Sequence, residues 1–410
     1  MTTTLDDNST TTSHPAWLGW VSSPDTRGTM NIIWSCVSTL VVCLYYMLHL
    51  YVPAPDDSYW TRFWRKARWA FLGLLAPELP MLFACGQWAS ANRSVLSMQA
   101  LGHHEWSIEH AFYADSGGFV VDFRGYDLLL VSSAKQLEYL VRNGYIAMPS
   151  LTCDDIRDKS RADGMSKLVI CVQAGWLVLQ VLGRAVQRLA ITPLELATLS
   201  VVGCSFTTLW FWRRKPLDVG EPTIITTSYT IADVLAGAGE AAKETFVDTP
   251  LEFIEPEAYI SRKRRALQAK PMRRIPNDRD PQASSLAQHV SLGVSTAAFA
   301  SIHLAAWNAE FPSRWEQVFW RANCLVMWVL LAVYGTGEVV VCYREGYSKM
   351  GLDTLGAYKR RWPDCLWFFV PAGMYLATRL GLLFESVWSL RSLPEDAFAT
   401  VNWEDYLPHV

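Results

Sequence analysis

Asp154-Asp155-Ile156-Arg157-Asp158 is a DDxxD run. On a helix that spacing puts carboxylates on adjacent positions one turn apart, where they can hold Mg²⁺ between themselves and a diphosphate. Such a site serves prenyl transfer and ionisation-driven terpene cyclisation. Asp154, Asp155 and Asp158 are therefore the candidate metal ligands, with Asp158 also a candidate catalytic carboxylate. Asp163 adds another acid, while Arg157 and Lys159 would neutralise phosphate oxygens, so all three are candidate substrate contacts. The competing reading is a solvated, salt-bridged face, the usual state of acids and bases interleaved ahead of a membrane helix.

A second constellation runs from His103 to His110. On a helix His103, Trp106 and His110 share one face. The two histidines stand seven apart, however, where a helical metal pair wants i and i+4. His110 is instead a candidate general acid or base. A third set consists of ionisable residues inside apolar blocks: Glu78, Arg184, Glu195, His303, Glu338, Arg379 and Glu385. Each is expensive in lipid and must face a partner or a cavity. Glu195 follows Pro193 at a helix start, where the dipole favours its charge, and Arg184 can pair with it across the turn. Glu338 sits in the glycine-loosened Tyr334-Gly335-Thr336-Gly337-Glu338. A desolvated carboxylic acid can protonate an alkene or an epoxide. Glu195 and Glu338 are the candidate catalytic acids, with Arg184 and His303 as substrate contacts. Structural ion pairing is the alternative explanation for all of them.

The elements that must position these residues are membrane helices. The 410 residues are 51% hydrophobic and 18% charged, with the apolar residues in separated blocks. Net charge is -3, which gives no electrostatic reason for a nucleic-acid partner. Nineteen Trp, 16 Tyr and 17 Phe fit interfacial anchoring or an aromatic-lined cavity. The nine cysteines include no C-x-x-C pair, so they read as small buried hydrophobes and not as a disulfide or zinc framework.

In chain order, residues 1–29 are a polar tail lacking the features of a cleaved signal peptide, and 30–89 hold a first span followed by a Pro-broken apolar segment. Pro77-Glu78-Leu79-Pro80 interrupts that segment as a kinked span or a re-entrant pair of half-helices. Residues 90–166 form a polar α+β insertion, with a hairpin around Arg124-Gly125 and a helix capped by Ser132 or Ser133. A helix pair occupies 167–216, a basic insertion 217–287, a three-helix unit 288–388 and a polar tail 389–410. The basic groups at 213–215, 262–265 and 359–361 should all be cytosolic. With the basic linker at 62–68 cytosolic as well, the expected fold is an all-α polytopic membrane protein of six to seven transmembrane helices. Six full spans plus one re-entrant element, with both termini luminal, is the preferred form; seven spans with a cytosolic N-terminus is the rival.

Several strings together carry a resemblance: RGTMNIIWSC, HAFYADSGGF, DDIRDKSRADGMSK, TPLELATL, WFWRRKPL, SLRSLPEDAF and VNWEDYLPH. The chain resembles a large, uncharacterised family of filamentous-fungal polytopic membrane proteins, some encoded beside secondary-metabolite genes. The resemblance implies an endomembrane protein, such as one of the endoplasmic reticulum, and supplies no catalytic residues. It also implies that Asp158, Lys159, Ser160 and Asp163 form the recurrent part of the acid/base run, the first two aspartates often being glutamate.

The expected function is a membrane enzyme of secondary metabolism acting on a lipophilic isoprenoid-type substrate, in its most concrete form a terpene or meroterpenoid cyclase. A non-enzymatic transporter or scaffold for such a metabolite is the alternative. Partners are the bilayer and the small molecule, and Mg²⁺ is the one cofactor suggested. No P-loop, dinucleotide fingerprint or haem-binding signature is visible, so neither nucleotide nor haem is expected.

Overall fold

The computed structural model describes residues 17–23, 27–54, 57–127, 129–160, 164–239, 274, 275, 277, 286–345 and 362–403, the side chains of 164–167, 286–292, 338–345 and 362–369 excepted. The basic groups at 262–265 and 359–361, Asp163 and the first sixteen residues of the tail lie outside that set. The short strand β1 (Trp17–Leu18) precedes α1 (Thr29–Met47), α2 (Tyr59–Leu75) and α3 (Glu78–Ala100). Then come α4 (Ile108–Asp115), β2 (Phe119–Phe123), β3 (Leu130–Ser132), α5 (Ala134–Arg142) and α6 (Cys153–Asp158). Helices α7 (Gly164–Val186) and α8 (Pro193–Trp212) lead to β4 (Thr223–Thr227) and α9 (Ile231–Ala238). Helices α10 (Leu286–Leu304), α11 (Arg314–Glu345) and α12 (Trp362–Trp388) precede β5 (Leu393–Pro394).

Four helical stretches are long and apolar enough to cross a membrane: Thr29–Met47, Leu168–Val186, Pro193–Trp212 and Arg314–Gly337. Their outward faces carry Trp34, Val41, Val172, Leu179, Trp210 and Val329, all exposed, as lipid-facing surfaces require. This is a membrane protein. The bent pair of α2 and α3 meets the same test as one unit, which raises the count to five among the described residues. The basic stretch at 62–68, expected as a linker, is helical and belongs to α2. Ser58 starts that helix by accepting from Thr61 N–H at 3.2 Å. Its exposed face carries Trp60, Phe63, Trp64 and Phe71, while Arg65 and Lys66 turn inward to Asp57 and Asp218. Aromatics outward and cations turned to protein carboxylates suit a helix that begins at the membrane interface.

The polar segments build a small α+β module. Antiparallel β2 and β3 form the expected hairpin, with Phe119 opposite Ser132 and Val121 opposite Leu130. Ser133 and Gln136 make a capping box that starts α5. Strand β4 comes from the second insertion and pairs in parallel with β2, Phe119 opposite Thr223 through Phe123 opposite Thr227. One sheet therefore draws on both insertions. Its core is Trp106, Phe112, Tyr113, Phe119, Phe123, Leu137 and Leu140, and the far half of α3 packs against it through Ala91 and Met98. At the opposite end of the bundle, β1 pairs with β5, Trp17 opposite Pro394.

Candidate functional site

Pro77 has no amide hydrogen and disfavours helical geometry at Ala76. Accordingly α2 stops at Leu75, α3 starts at Glu78, and the axis turns by 108°. In an unbroken helix the Leu75 carbonyl would accept from Leu79 N–H, but that amide is bonded to Ala76 O at 3.0 Å. The break thus frees a carbonyl inside an apolar bundle, where an unmet acceptor is costly. Arg379, fully buried on α12, supplies the donor, its Nε lying 2.9 Å from Leu75 O.

The same guanidinium bonds the ring of the fully buried His303 on α10, Nη1 to Nε2 at 2.8 Å, and lies 4.6 Å over the Phe299 ring. An arginine can only donate, so Nε2 accepts. The other ring nitrogen, Nδ1, is 3.1 Å from Phe299 O, which can only accept, so Nδ1 carries the hydrogen. His303 is thus a neutral imidazole held in one tautomer. Its own carbonyl accepts from Trp320 Nε1 at 3.1 Å on α11. Glu78 stands in electrostatic contact with Arg379 and beside the Tyr375 hydroxyl. The Glu78 stem keeps some exposure while its Oε2 is sealed. Glu78 Oε2, Tyr375 Oη and Arg379 Nη2 are all buried; the Glu78 carboxyl and the Tyr375 hydroxyl lie within reach of one another, and Arg379 Nη2 has no hydrogen-bond partner among the described residues. Buried polar atoms gathered in an apolar interior without their full hydrogen bonding mark a place that can take a polar group of a ligand or water.

Of the sequence-derived candidates, His303 belongs to this centre. The sequence marks Glu78 and Arg379 only as intramembrane charges and does not mark Tyr375. Tyr375 and Arg379 are four apart on one helix, a spacing that puts them on one face and offers a signal for pairing them.

Glu195 and Arg184 lie at another place. Glu195 completes a capping box, its Oε2 accepting from Thr192 N–H at 3.0 Å and Thr192 Oγ1 at 2.9 Å. Its Oε1 is paired with Arg27, not with Arg184 as the turn geometry suggests. Arg184, fully buried, donates to four carbonyls: Ala190 at 2.6 Å, Asp396 at 2.8 Å, Ala397 at 3.1 Å and Ala399 at 2.8 Å. The pair therefore anchors the C-terminal segment over the helix ends. Glu338 is placed on α11, but its side chain is outside the described residues, as is Asp163 altogether.

The aspartate run occupies the short α6. Asp155 turns back to cap it, accepting from Thr152 N–H at 2.8 Å and from Thr152 Oγ1, and the Thr152 hydroxyl holds its carboxyl below the usual range. Asp154 pairs with Arg157 at 3.2 Å, Asp158 is exposed, and Lys159 caps the helix end. These carboxylates do not converge: no group of three His, Cys, Asp or Glu side chains among the described residues is placed to hold a metal ion. Among the described residues the run does not form a Mg²⁺ site: Asp155 is committed to the cap, Asp154 to a surface ion pair, and Asp158 points to solvent with no second carboxylate converging on it. His110 is a buried helix-capping residue whose ring reaches Ser107 and Cys153.

Sequence reasoning misses several buried ionisable groups, Lys215 the most consequential. Lys215, just past α8, lies 3% exposed between the Tyr51 and Trp212 rings, at 4.9 and 4.4 Å, and donates to His49 O at 2.7 Å and Gln87 Oε1 at 2.8 Å. In the sequence it is one of a basic cluster, where lysines normally face water. Burial pushes its amine down to about 7, the Asp115 carboxylate partly opposing. In the unfolded chain the lysine titrates near its ordinary value of about 10.4. Between those two values the unfolded state binds more protons, so stability rises with pH across about 7 to about 10, and the burden is fully present below about 7. Melting of detergent-solubilised protein should show Tm climbing over that window, and Lys215→Met should remove the climb. An unchanged slope in the variant would show that Lys215 is not its source.

Compared with known proteins, residues 3–238 and 284–410 match a family described as a family of unknown function (DUF8562). No curated protein and no solved structure matches the chain.

Proposed function

Because the chain belongs to this family of unknown function, DUF8562, we propose its role from its own geometry: an integral-membrane enzyme acting on a lipophilic, isoprenoid-type substrate at the Glu78–Tyr375–Arg379–His303 centre. The observation that carries this is the buried, incompletely hydrogen-bonded polar cluster of Glu78, Tyr375 and Arg379. A scaffold has no use for such a cost deep in an apolar bundle, whereas a site that handles a substrate does.

The most concrete chemistry is proton-initiated cyclisation. Glu78 in its acid form gives its proton to an alkene or epoxide, the chain closes through a carbocation, and the final deprotonation returns a proton to the Glu78 carboxylate. The product is an isomer of the substrate, and atoms balance. Arg379 and His303 hold the broken tip in position and do not exchange protons in this scheme. The resemblance to fungal proteins encoded beside secondary-metabolite genes supports an isoprenoid or meroterpenoid substrate and a place in the endoplasmic reticulum.

Polar contacts at one end of the bundle support six spans and one re-entrant element. Lys66 on α2 meets Asp218 at 2.8 Å, and Gln87 on α3 meets Lys215 at 2.8 Å, so α2 enters and α3 returns at the same end. The Pro77 break lies between, level with Cys204 of α8. On this reading α1, α7, α8, α10, α11 and α12 cross, with both termini luminal and Arg213 and Arg214 cytosolic.

Microsomes containing the protein, incubated with farnesyl, geranylgeranyl and epoxidised prenyl substrates, test the proposal by mass spectrometry. An isomeric product that persists in EDTA and is lost by at least about 100-fold in Glu78→Gln is expected. A broken helix at mid-membrane also suits a carrier. Substrate accumulation without conversion would move the assignment there, and inertness towards all of these substrates would sink the isoprenoid enzyme.

A further inference from the structure

Outside the spans the structure brings together three side chains that lie far apart in sequence. Cys153, half-buried at the start of α6, has its Sγ 3.2 Å from Ser107 Oγ and 3.9 Å from His110 Nδ1. The other described cysteines lie within α1, α3, α7, α8 and α11. His110 Nε2 is 2.7 Å from Leu151 O, a pure acceptor, so Nε2 carries the ring hydrogen. Nδ1 therefore presents a lone pair, accepting from Ser107 N–H at 3.3 Å and facing Ser107 Oγ at 2.8 Å. The chain of bonds has one direction that satisfies every member: thiol to Ser107 hydroxyl to His110 Nδ1. Helix capping accounts for Ser107 and His110 but not for a thiol aimed at them.

The surroundings point to the electrophile. Arg157 and Arg214 flank Glu109, next to His110, at 3.8 and 4.0 Å; both side chains are mostly open to solvent, at 66% and 59%, Arg157 also pairing with Asp154. Arg214 follows the end of α8 at Trp212 by two residues, so this cationic rim adjoins the apolar surface of the bundle. Exposed guanidiniums bind phosphate, and the apolar surface suits an acyl chain.

We propose that Cys153 is a nucleophilic thiol, served by His110 as base through Ser107, that accepts an acyl group from a phosphate-bearing acyl thioester. The thiol proton passes by way of Ser107 to His110 Nδ1, and the thiolate attacks the acyl carbonyl carbon. The carbon–sulfur bond to the donor then breaks, and the departing thiolate takes the proton from the imidazolium. The products are S-acyl-Cys153 and a free thiol, with no change of oxidation state.

The test uses the full chain in microsomes with alkyne-tagged palmitoyl-CoA, and iodoacetamide in parallel, reading the Cys153 peptide by mass spectrometry. His110→Gln is the informative variant, because glutamine at the third helical position preserves the capping box while removing the base. The expected result is hydroxylamine-labile acylation at Cys153, with both reagents slowed about 100-fold in His110→Gln. Acylation should also weaken in Arg157→Gln with iodoacetamide alkylation unchanged. Alkylation that depends on His110 without any acyl transfer would overturn the acyl-thioester assignment. Labelling indifferent to His110→Gln would overturn the thiol–base pairing.

Discussion

Replacing Arg379 with methionine should cost the fold about 3–5 kcal/mol, the range for removing one partner of a buried charge network. The hydrogen bonds do not account for that figure. Arg379 donates to Leu75 O and to His303 Nε2, and interhelical bonds in membranes average only about 0.6 kcal/mol each. The larger share comes from the electrostatic contact between Arg379 and the Glu78 carboxyl, which is lost in a low-dielectric interior. Two further variants separate the terms. Arg379→Lys should recover little, because one ammonium cannot reproduce a guanidinium that reaches a carbonyl and an imidazole from different nitrogens. Glu78→Gln combined with Arg379→Met should be more stable than Arg379→Met alone, since no ionisable carboxyl is then left buried without its neighbour. Thermal unfolding in detergent, followed by the monodisperse fraction on size exclusion, measures all three. Equal losses with and without Glu78 would rule out the electrostatic account.

Arg184→Met should release the C-terminal segment. The Arg184 guanidinium ties four carbonyls together, three of them in residues 396–399, and no hydrophobic side chain can replace those donors. Charge-assisted bonds to buried acceptors are worth about 1.5–3 kcal/mol each before correlations are counted. A local opening made easier by about 3 kcal/mol becomes about 100-fold more populated, from the tenfold change that each 1.4 kcal/mol brings. Proteolysis that is slow relative to reclosing follows that population. Cleavage in the 389–403 region should therefore accelerate by about two orders of magnitude, with the α+β module still protected. Unchanged cleavage would show that the pairing of β1 with β5 and the packing of Leu390, Leu393 and Phe398 hold the segment by themselves.

Much of the architecture is legible in the residues alone, for reasons of solvent and local sterics. Apolar blocks of bilayer length impose helices at α1, α7, α8 and α11, because lipid leaves backbone groups no other partner. Pro77 forces the break between α2 and α3. Ser133 and Gln136 start α5, and Thr192 and Glu195 start α8, through bonds that span three residues. Glu195 is instructive here: the signature that marks it as a cap also explains its charge, and its oxygens are taken by Thr192 and Arg27.

The candidate site is legible in the sequence only in its ingredients. Charges inside apolar blocks announce that partners exist, since a bare charge in lipid is too costly, but pattern cannot say which partner each one has. Arg379 reaches Leu75 across 304 positions and His303 across 76. The DDxxD run shows the converse: a short motif suggests convergence, and the local cap at Thr152 wins over it because bonds three residues away cost little chain entropy to form. Lys215 looks like one more interfacial cation until Tyr51, Gln87 and Trp212 close around it. Cys153 stands alone in sequence, and the packing of α4 against α6 gives it His110 and Ser107. Sequence by itself determined what each segment must be, because hydropathy, prolines and caps act over a few residues. Only the tertiary structure decided which buried polar groups meet, because that depends on how separate helices satisfy one another's unmet donors and acceptors.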